Sequence, residues 1–180
     1  MAYCSLICTR ESFRPSDCSR VRWLDWENDY PLARAYWLQD PPLSRENWEL
    51  NRTEGFRYCA IVEDGAIAAL AAVWTYSQTH WEVAAVSTAP ASRRRGYGKA
   101  LVCFVTAHIL EQGRKATIST ESRNVAMLKT AESVGFYHSD ERGREKRGAN
   151  VELGRACLLD EGCCVGARER SRTCLHSCRE

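Results

Sequence analysis

Four cations and two glycines fall within seven consecutive positions, residues 93–99, which read Arg-Arg-Arg-Gly-Tyr-Gly-Lys. Arginine and lysine attract anions, and glycine, without a Cβ, lets a backbone come close to one. The flanking residues give this segment a place in a fold. Residues 83–88, Val-Ala-Ala-Val-Ser-Thr, read as a strand, and residues 100–110 read as a helix. A turn from strand to helix presents backbone N–H groups that have no intrahelical acceptor, at the positive end of the helix dipole. That is a setting for phosphate, and its size points to the pyrophosphate of a nucleotide-type cofactor.

The elements that must carry this loop can be read along the chain. Residues 1–20 show no periodicity and are expected to be a poorly ordered lead-in. Asn28 or Asp29 caps a helix with Pro31 in its first turn; Leu32, Ala35, Tyr36 and Leu38 form its apolar face, and Asp40-Pro41-Pro42 breaks it. Ser44 caps a short second helix carrying Trp48 and Leu50. Residues 58–63 and 66–74 are apolar runs separated by Asp64-Gly65, which predicts a hairpin with a type I′ turn. The second run is rich in alanine, yet the turn favours a strand. Residues 81–88 make the third strand of the meander. A helix over 96–112 follows, with Leu101, Val105 and Ile109 as its buried stripe, Phe104 beside them and Gly113 as C-cap. Residues 116–120 read as a strand, residues 124–134 as a helix ended by Gly135, and Phe136-Tyr137-His138 as the start of a strand. The order predicts a mixed α/β sheet, an antiparallel meander followed by a helix-crossed parallel pair.

A chain of 180 residues that is 44% hydrophobic suits one domain with a substantial core. The net charge of +2 exerts no global pull toward nucleic acid or membrane. Apolar runs such as residues 66–73 are too short to span a bilayer, and the first residues lack the pattern of a secretion signal. A soluble, cytoplasmic protein is expected, with a folded domain over 21–159 and a Cys-rich irregular tail over 160–180. Cys59 and Cys103 lie within apolar segments and read as small buried hydrophobes. Cys4, Cys8 and Cys18 gather near one end; Cys157, Cys163, Cys164, Cys174 and Cys178 gather near the other. The latter group, with His176, lacks paired two-residue Cys spacings, so no metal site is expected.

A plain turn with solvated arginines is the simplest account of the basic loop taken alone. The Rossmann fingerprint requires a third glycine where Leu101 stands, and the Walker pattern lacks its first glycine and has Ala100 where Ser or Thr is needed. A nucleic-acid patch lacks a second basic cluster with interleaved aromatics. The loop is similar to the Arg/Gln-x-x-Gly-x-Gly/Ala loop of the GNAT superfamily of N-acetyltransferases, with Arg93, Gly96 and Gly98 in the first, fourth and sixth positions. The preceding strand, Glu-Val-Ala-Ala-Val-Ser-Thr, also resembles that family. So do Asn124 and the helix ending Ala131-Glu132-Ser133-Val134-Gly135-Phe136, and the resemblance spans residues 22–138.

This resemblance implies a GNAT fold, a mixed and mostly antiparallel central sheet flanked by helices. It implies an N-acetyltransferase that moves an acetyl group from acetyl-coenzyme A to an amine by direct attack in a ternary complex. The cofactor-binding residues are then Arg93, Arg94, Arg95, Gly96, Tyr97, Gly98 and Lys99 around the pyrophosphate, with Val86 and Thr88 offering their main chain to the pantetheine. Asn124 would meet the cofactor near its pantetheine; a helix N-cap is the equally compatible alternative. An acceptor amine near pKa ~10 is mostly ammonium at neutral pH, so a base is needed. Glu82, at the start of the strand, matches the family's strand glutamate in that role; an exposed strand-end carboxylate is the rival account. A main-chain N–H around Val86 would stabilise the oxyanion. Where the family's acid is usually a tyrosine this chain has Ala131, and Tyr137, Ser133 or a water stand as substitutes. Two rivals follow: a non-catalytic coenzyme A-binding sensor or regulatory module, motivated by Ala131 and the tail, and a nucleic-acid binder using the arginines. Acetyl-coenzyme A and an amine are the expected partners, without nucleic acid or membrane, and a homodimer stays open. Trp23, Trp26, Tyr36, Trp37 and Trp48 flank the acceptor cleft or pack the core. A small amine, an antibiotic, a peptide N-terminus and a lysine all remain compatible as acceptor.

Overall fold

The computed structural model describes residues 2–37 and 43–138. In chain order the strands are β1 (Tyr3–Cys8), β2 (Arg22–Trp23), β3 (Phe56–Glu63), β4 (Ala66–Trp74), β5 (His80–Thr88), β6 (Lys115–Glu121) and β7 (Tyr137–His138). The helices are α1 (Tyr30–Tyr36), α2 (Arg45–Thr53), α3 (Tyr97–Glu111) and α4 (Val125–Val134). The strands form one sheet in the order β2-β3-β4-β5-β6-β1-β7. Among the described residues only β5 and β6 run parallel; the other pairs are antiparallel. The expected mixed, mostly antiparallel sheet is the sheet observed.

Local chemistry explains most of these elements. Asp64 and Gly65 have φ of 49° and 76°, the two positive values of a type I′ turn, and they join β3 to β4. Ser44 caps α2 by accepting a hydrogen bond from the Asn47 N–H at 3.0 Å. Asp29 precedes α1 but does not cap it. Its carboxylate instead accepts two bonds from the Arg22 guanidinium, at 2.6 and 2.8 Å, and one from the Asp25 N–H at 2.8 Å. The Arg22 bonds hold the Asp29 carboxyl below the usual range. Leu50, read as an apolar anchor of α2, is 51% exposed, and Trp48 alone buries that helix.

The two faces of the sheet carry different layers. Cys59, Ile61, Ala71, Val73 and Val83 pack with Leu101, Val105 and Ile109 of α3. On the opposite face Trp48 stacks on Tyr58, ring centroids 5.3 Å apart. Trp26 and Trp37 close around the same pair, 4.3 and 6.1 Å from Trp48.

Residues 1–20, expected to be a poorly ordered lead-in, instead contain β1, an interior strand between β6 and β7. Leu6, Ile7 and Cys8 are buried there. The segment that follows is also tied down. Arg10 donates two bonds to the Leu110 carbonyl at the end of α3, at 3.2 and 2.8 Å, and the Arg14 N–H donates to the Val134 carbonyl at 2.9 Å. Residues 38–42 and 139–180 lie outside the described residues. The predicted helix break at 40–42, the last part of the predicted domain at 139–159, the tail at 160–180 and its cysteines fall there.

Candidate functional site

The parallel pairing of β5 with β6 runs through His80↔Lys115, Trp81↔Ala116 and Glu82↔Thr117, where the register ends. Just beyond, β5 is bulged. Ala84 pairs with Ala72 and Ser87 with Leu70, so Ala85 and Val86 together stand opposite the single residue Ala71. Ala85 takes φ of 53°, a left-handed value unusual for a residue with a Cβ. The bulge bends β5 away from β6 and opens a fork. Main-chain groups of β5 that face the fork are available to an extended ligand, as though to an added strand. No glycine marks Ala85 in the sequence, so the bulge had no signal there.

The basic loop lies at the exit of β5. A short 3₁₀ turn, Pro90–Ser92, leads into Arg93, and α3 starts at Tyr97 after Gly96, which carries no side-chain cap. The Ala100 N–H donates to the Gly96 carbonyl at 3.1 Å. The N–H groups of Tyr97, Gly98 and Lys99 therefore have no acceptor within the helix. Arg94 and Gly96 have φ of 62° and 80°. Two left-handed residues so close together curl successive amides toward one side, an anion-binding nest. A Cβ at Gly98 would have Thr88 Oγ1 as its nearest neighbour at 4.0 Å, and one at Gly96 nothing within 4 Å. A helix start without a cap, a curled run of amides and open space over both glycines fit a pyrophosphate group.

The side chains of the loop divide. Arg93, Arg94 and Lys99 are exposed, and Arg93 Nε lies 3.4 Å from the Thr88 carbonyl oxygen. Arg95 instead forms a two-bond pair with Glu63, at 2.7 and 3.1 Å. Tyr97 is buried and donates its hydroxyl to Glu63 at 2.6 Å. Arg20 donates to Glu63 at 2.6 Å and to the Tyr97 hydroxyl at 2.8 Å. The Tyr97 and Arg20 bonds hold the Glu63 carboxyl below its ordinary range. Sequence reasoning singled out neither Glu63 nor Arg20, because nothing local in the chain announces pairs this distant.

Glu82 sits at the base of the fork and is 8% exposed, so it is not an exposed strand-end carboxylate. Its β4 partner is Trp74, whose ring lies 5.0 Å from that of Tyr76. The Tyr76 hydroxyl lies 3.3 Å from Thr117 Oγ1, on the other side of Glu82 in the register. Farther along β5, the Tyr36 and Ser87 hydroxyls meet at 2.9 Å. Burial raises the Tyr36 hydroxyl's pKa, against the Ser87 bond and the Arg93 charge, so it stays protonated at neutral pH. Asn124 stands where β6 leads into α4, at the same carboxyl end of the parallel pair as the basic loop. Its side chain caps α4 by accepting from the Met127 N–H at 3.1 Å. Ala131 is wholly buried, Ser133 donates to the Thr130 carbonyl at 2.7 Å, and Tyr137 is 47% exposed on β7.

The model of the acetyltransferase (GNAT) family matches residues 19–136. No curated protein matches the chain. Among solved structures, a GNAT-family protein from Novosphingobium aromaticivorans is similar with a TM-score of 0.59 and 23% identity, over 77% of this chain and 62% of that one. A GNAT-family acetyltransferase from Colwellia psychrerythraea gives 0.60 and 17%, over 76% and 52%. The ribosomal-protein-S18-alanine N-acetyltransferase of Escherichia coli gives 0.54 and 20%, over 66% and 77%. The chain thus spans less than two thirds of the first two proteins. At these identities the likeness is one of fold.

Proposed function

Because the chain belongs to the GNAT acetyltransferase family, we propose that it transfers the acetyl group of acetyl-coenzyme A to an amine by direct attack in a ternary complex. The observation that carries this reading is the fork that opens past Glu82 and Thr117, bent by the bulge at Ala85 and leading to the start of α3. Acetyl-coenzyme A supplies the activated thioester. The amides of Tyr97, Gly98 and Lys99 hold its pyrophosphate, with charge from Arg93, Arg94 and Lys99 nearby. The main chain of Val86 and Thr88 takes the pantetheine, and the Asn124 amide stands at the facing exit.

Glu82 takes a proton from the acceptor's ammonium as it enters the fork, a role worth about 10²–10⁴-fold in rate. A β5 main-chain N–H around Val86 faces the carbonyl oxygen as negative charge develops on it. As the C–N bond forms and the C–S bond breaks, coenzyme A leaves as a thiolate without a tyrosine donor, since Ala131 offers no proton. The nitrogen's remaining surplus proton passes to that thiolate directly or through water. Nothing in this scheme calls for nucleic acid, a membrane or a second subunit. Among the described residues no helix is long and apolar enough to cross a membrane. We propose the cytoplasm as its compartment, one that keeps thiols such as Cys8, Cys59 and Cys103 reduced.

Thiol release from acetyl-coenzyme A, followed across a panel of amines, tests the proposal. Release that requires both protein and amine is expected, with free coenzyme A inhibiting against the acetyl donor. Tight coenzyme A binding with no release from any amine would leave a non-catalytic binding module. Strongly salt-dependent binding to DNA or RNA that coenzyme A does not displace would overturn both.

A further inference from the structure

We infer that Glu63 is a positioning residue for the pyrophosphate loop, holding Arg95 and Tyr97 so that the loop is shaped before any ligand arrives. This inference rests on the acetyl-coenzyme A reading of the site. Glu63 ends β3, immediately before the Asp64-Gly65 turn. One of its oxygens, Oε1, accepts from Tyr97 at 2.6 Å, Arg20 at 2.6 Å and Arg95 at 3.1 Å; the other, Oε2, accepts from Arg95 at 2.7 Å. The Arg20 and Arg95 guanidiniums also lie 5.1 and 4.8 Å from the centroid of the Tyr97 ring. Three side chains from two other parts of the chain thus close on one carboxylate.

The placement within the loop gives this closure its consequence. Arg95 lies between the two left-handed residues, Arg94 and Gly96, whose conformation aims the amides. Tyr97 is the first residue of α3. Fixing both side chains fixes the direction of the backbone between them, and Arg94 keeps a conformation that a free loop would tend to relax. An isolated exposed ion pair would contribute little. This one is bidentate, shared with a phenol, and centred on a carboxylate whose side chain is 19% exposed. The charges also matter. One carboxylate faces two guanidiniums, so the cluster keeps a net positive charge beside the nest, and the anion still meets a favourable field.

Two measurements on the full chain test this, with Glu63→Ala as the variant and Arg95→Met as a second should the first fail to fold. Backbone NMR order parameters of residues 94–99 in the unliganded protein should fall, while those of α4 keep their values; unchanged loop order parameters overturn the inference whatever the protein binds. The Kd for coenzyme A should rise about tenfold, while the KM for S-acetylpantetheine, which lacks the pyrophosphate, stays as it was. Equal losses for both would mean general damage to the fold and would also overturn it. A wild-type protein that binds no coenzyme A would instead end the acetyl-donor reading, and the order parameters would still decide the clamp.

Discussion

Glu82 and Thr117 are the last partners in the parallel register of β5 and β6, and Trp74 pairs with Glu82 from the β4 side. The carboxylate is therefore held between two strands at the point where a gap opens. It is covered by the sheet on either side and stands at the mouth of the one opening in the parallel pair. A proton acceptor in that position meets a group entering the fork.

Glu82→Gln preserves the shape of this junction and removes the proposed base. Turnover should fall about 10²–10⁴-fold, with acetyl-coenzyme A binding retained. The loss should shrink as pH rises toward the acceptor's own pKa of about 10, where the amine is already deprotonated. Steady-state rates across pH check this, and a variant as active as wild type at neutral pH would remove Glu82 from the mechanism.

The two loop glycines should separate by what is measured. Gly96 has φ of 80°, so Gly96→Ala should cost about 1 kcal/mol of stability even though its surroundings are open. Gly98 lies outside the left-handed region and has room for a methyl, so Gly98→Ala should melt like wild type. Its effect should appear in coenzyme A affinity alone, because the methyl would enter the proposed path of the phosphates. Calorimetric titration beside a thermal melt makes the comparison.

Asn124 caps α4, and its second proposed role can be isolated. Asn124→Ala should lose the cap at about 1 kcal/mol, whereas Asn124→Asp caps equally well. If the amide also meets the cofactor, Asp at this position keeps stability and raises the KM for acetyl-coenzyme A. Equal KM values for wild type and Asn124→Asp would leave Asn124 as a cap only.

Gly135 has φ of 104°, and a Cβ built on it would stand 2.0 Å from the Ser12 carbonyl oxygen. Neither backbone can yield without breaking the bond from the Arg14 N–H to the Val134 carbonyl. Gly135→Ala should therefore cost about 3 kcal/mol or more by urea unfolding. Gly65→Ala, with positive φ but open surroundings, should cost about 1 kcal/mol.

His108 packs against Trp23 and Trp81, at 4.9 and 6.3 Å between ring centroids. Burial, aided by the Arg57 charge, lowers its pKa below the ordinary histidine value. The unfolded chain therefore binds this proton more readily than the fold does. Stability from the neutral ring is full above the unfolded value of about 6.5 and is lost as pH falls from there through the folded pKa. Unfolding free energies measured on either side of that window should differ less in His108→Phe than in wild type.

Much of the architecture was legible because single residues carried the signal. Asp64-Gly65 announced its turn, Ser44 and Asn124 their caps, and Gly135 the end of α4, since each uses chemistry that few other residues offer. The loop at Gly96 and Gly98 was legible for the same reason. Three features were not. Tyr3–Cys8 has no strict alternation and becomes a strand only through pairing with β6. Ala85 adopts a left-handed φ with no glycine to mark it, because the bulge is imposed by neighbouring strands. Glu63 gathers Arg20, Arg95 and Tyr97 only after the hairpin and α3 have been brought together.

The place of β1 also sets an order of events. Tyr3 pairs with Glu121, and Ile7 with both Thr117 and Tyr137. β1 leaves the ribosome before the two strands that flank it, β6 emerging only after α3 and β7 only after α4. During that interval β1 has no edge to join, and β6 presents its own open edge when it arrives. Such distant pairings close slowly and leave unpaired strands exposed to other chains. β1 is made before both strands that flank it, and it can be seated only once they exist.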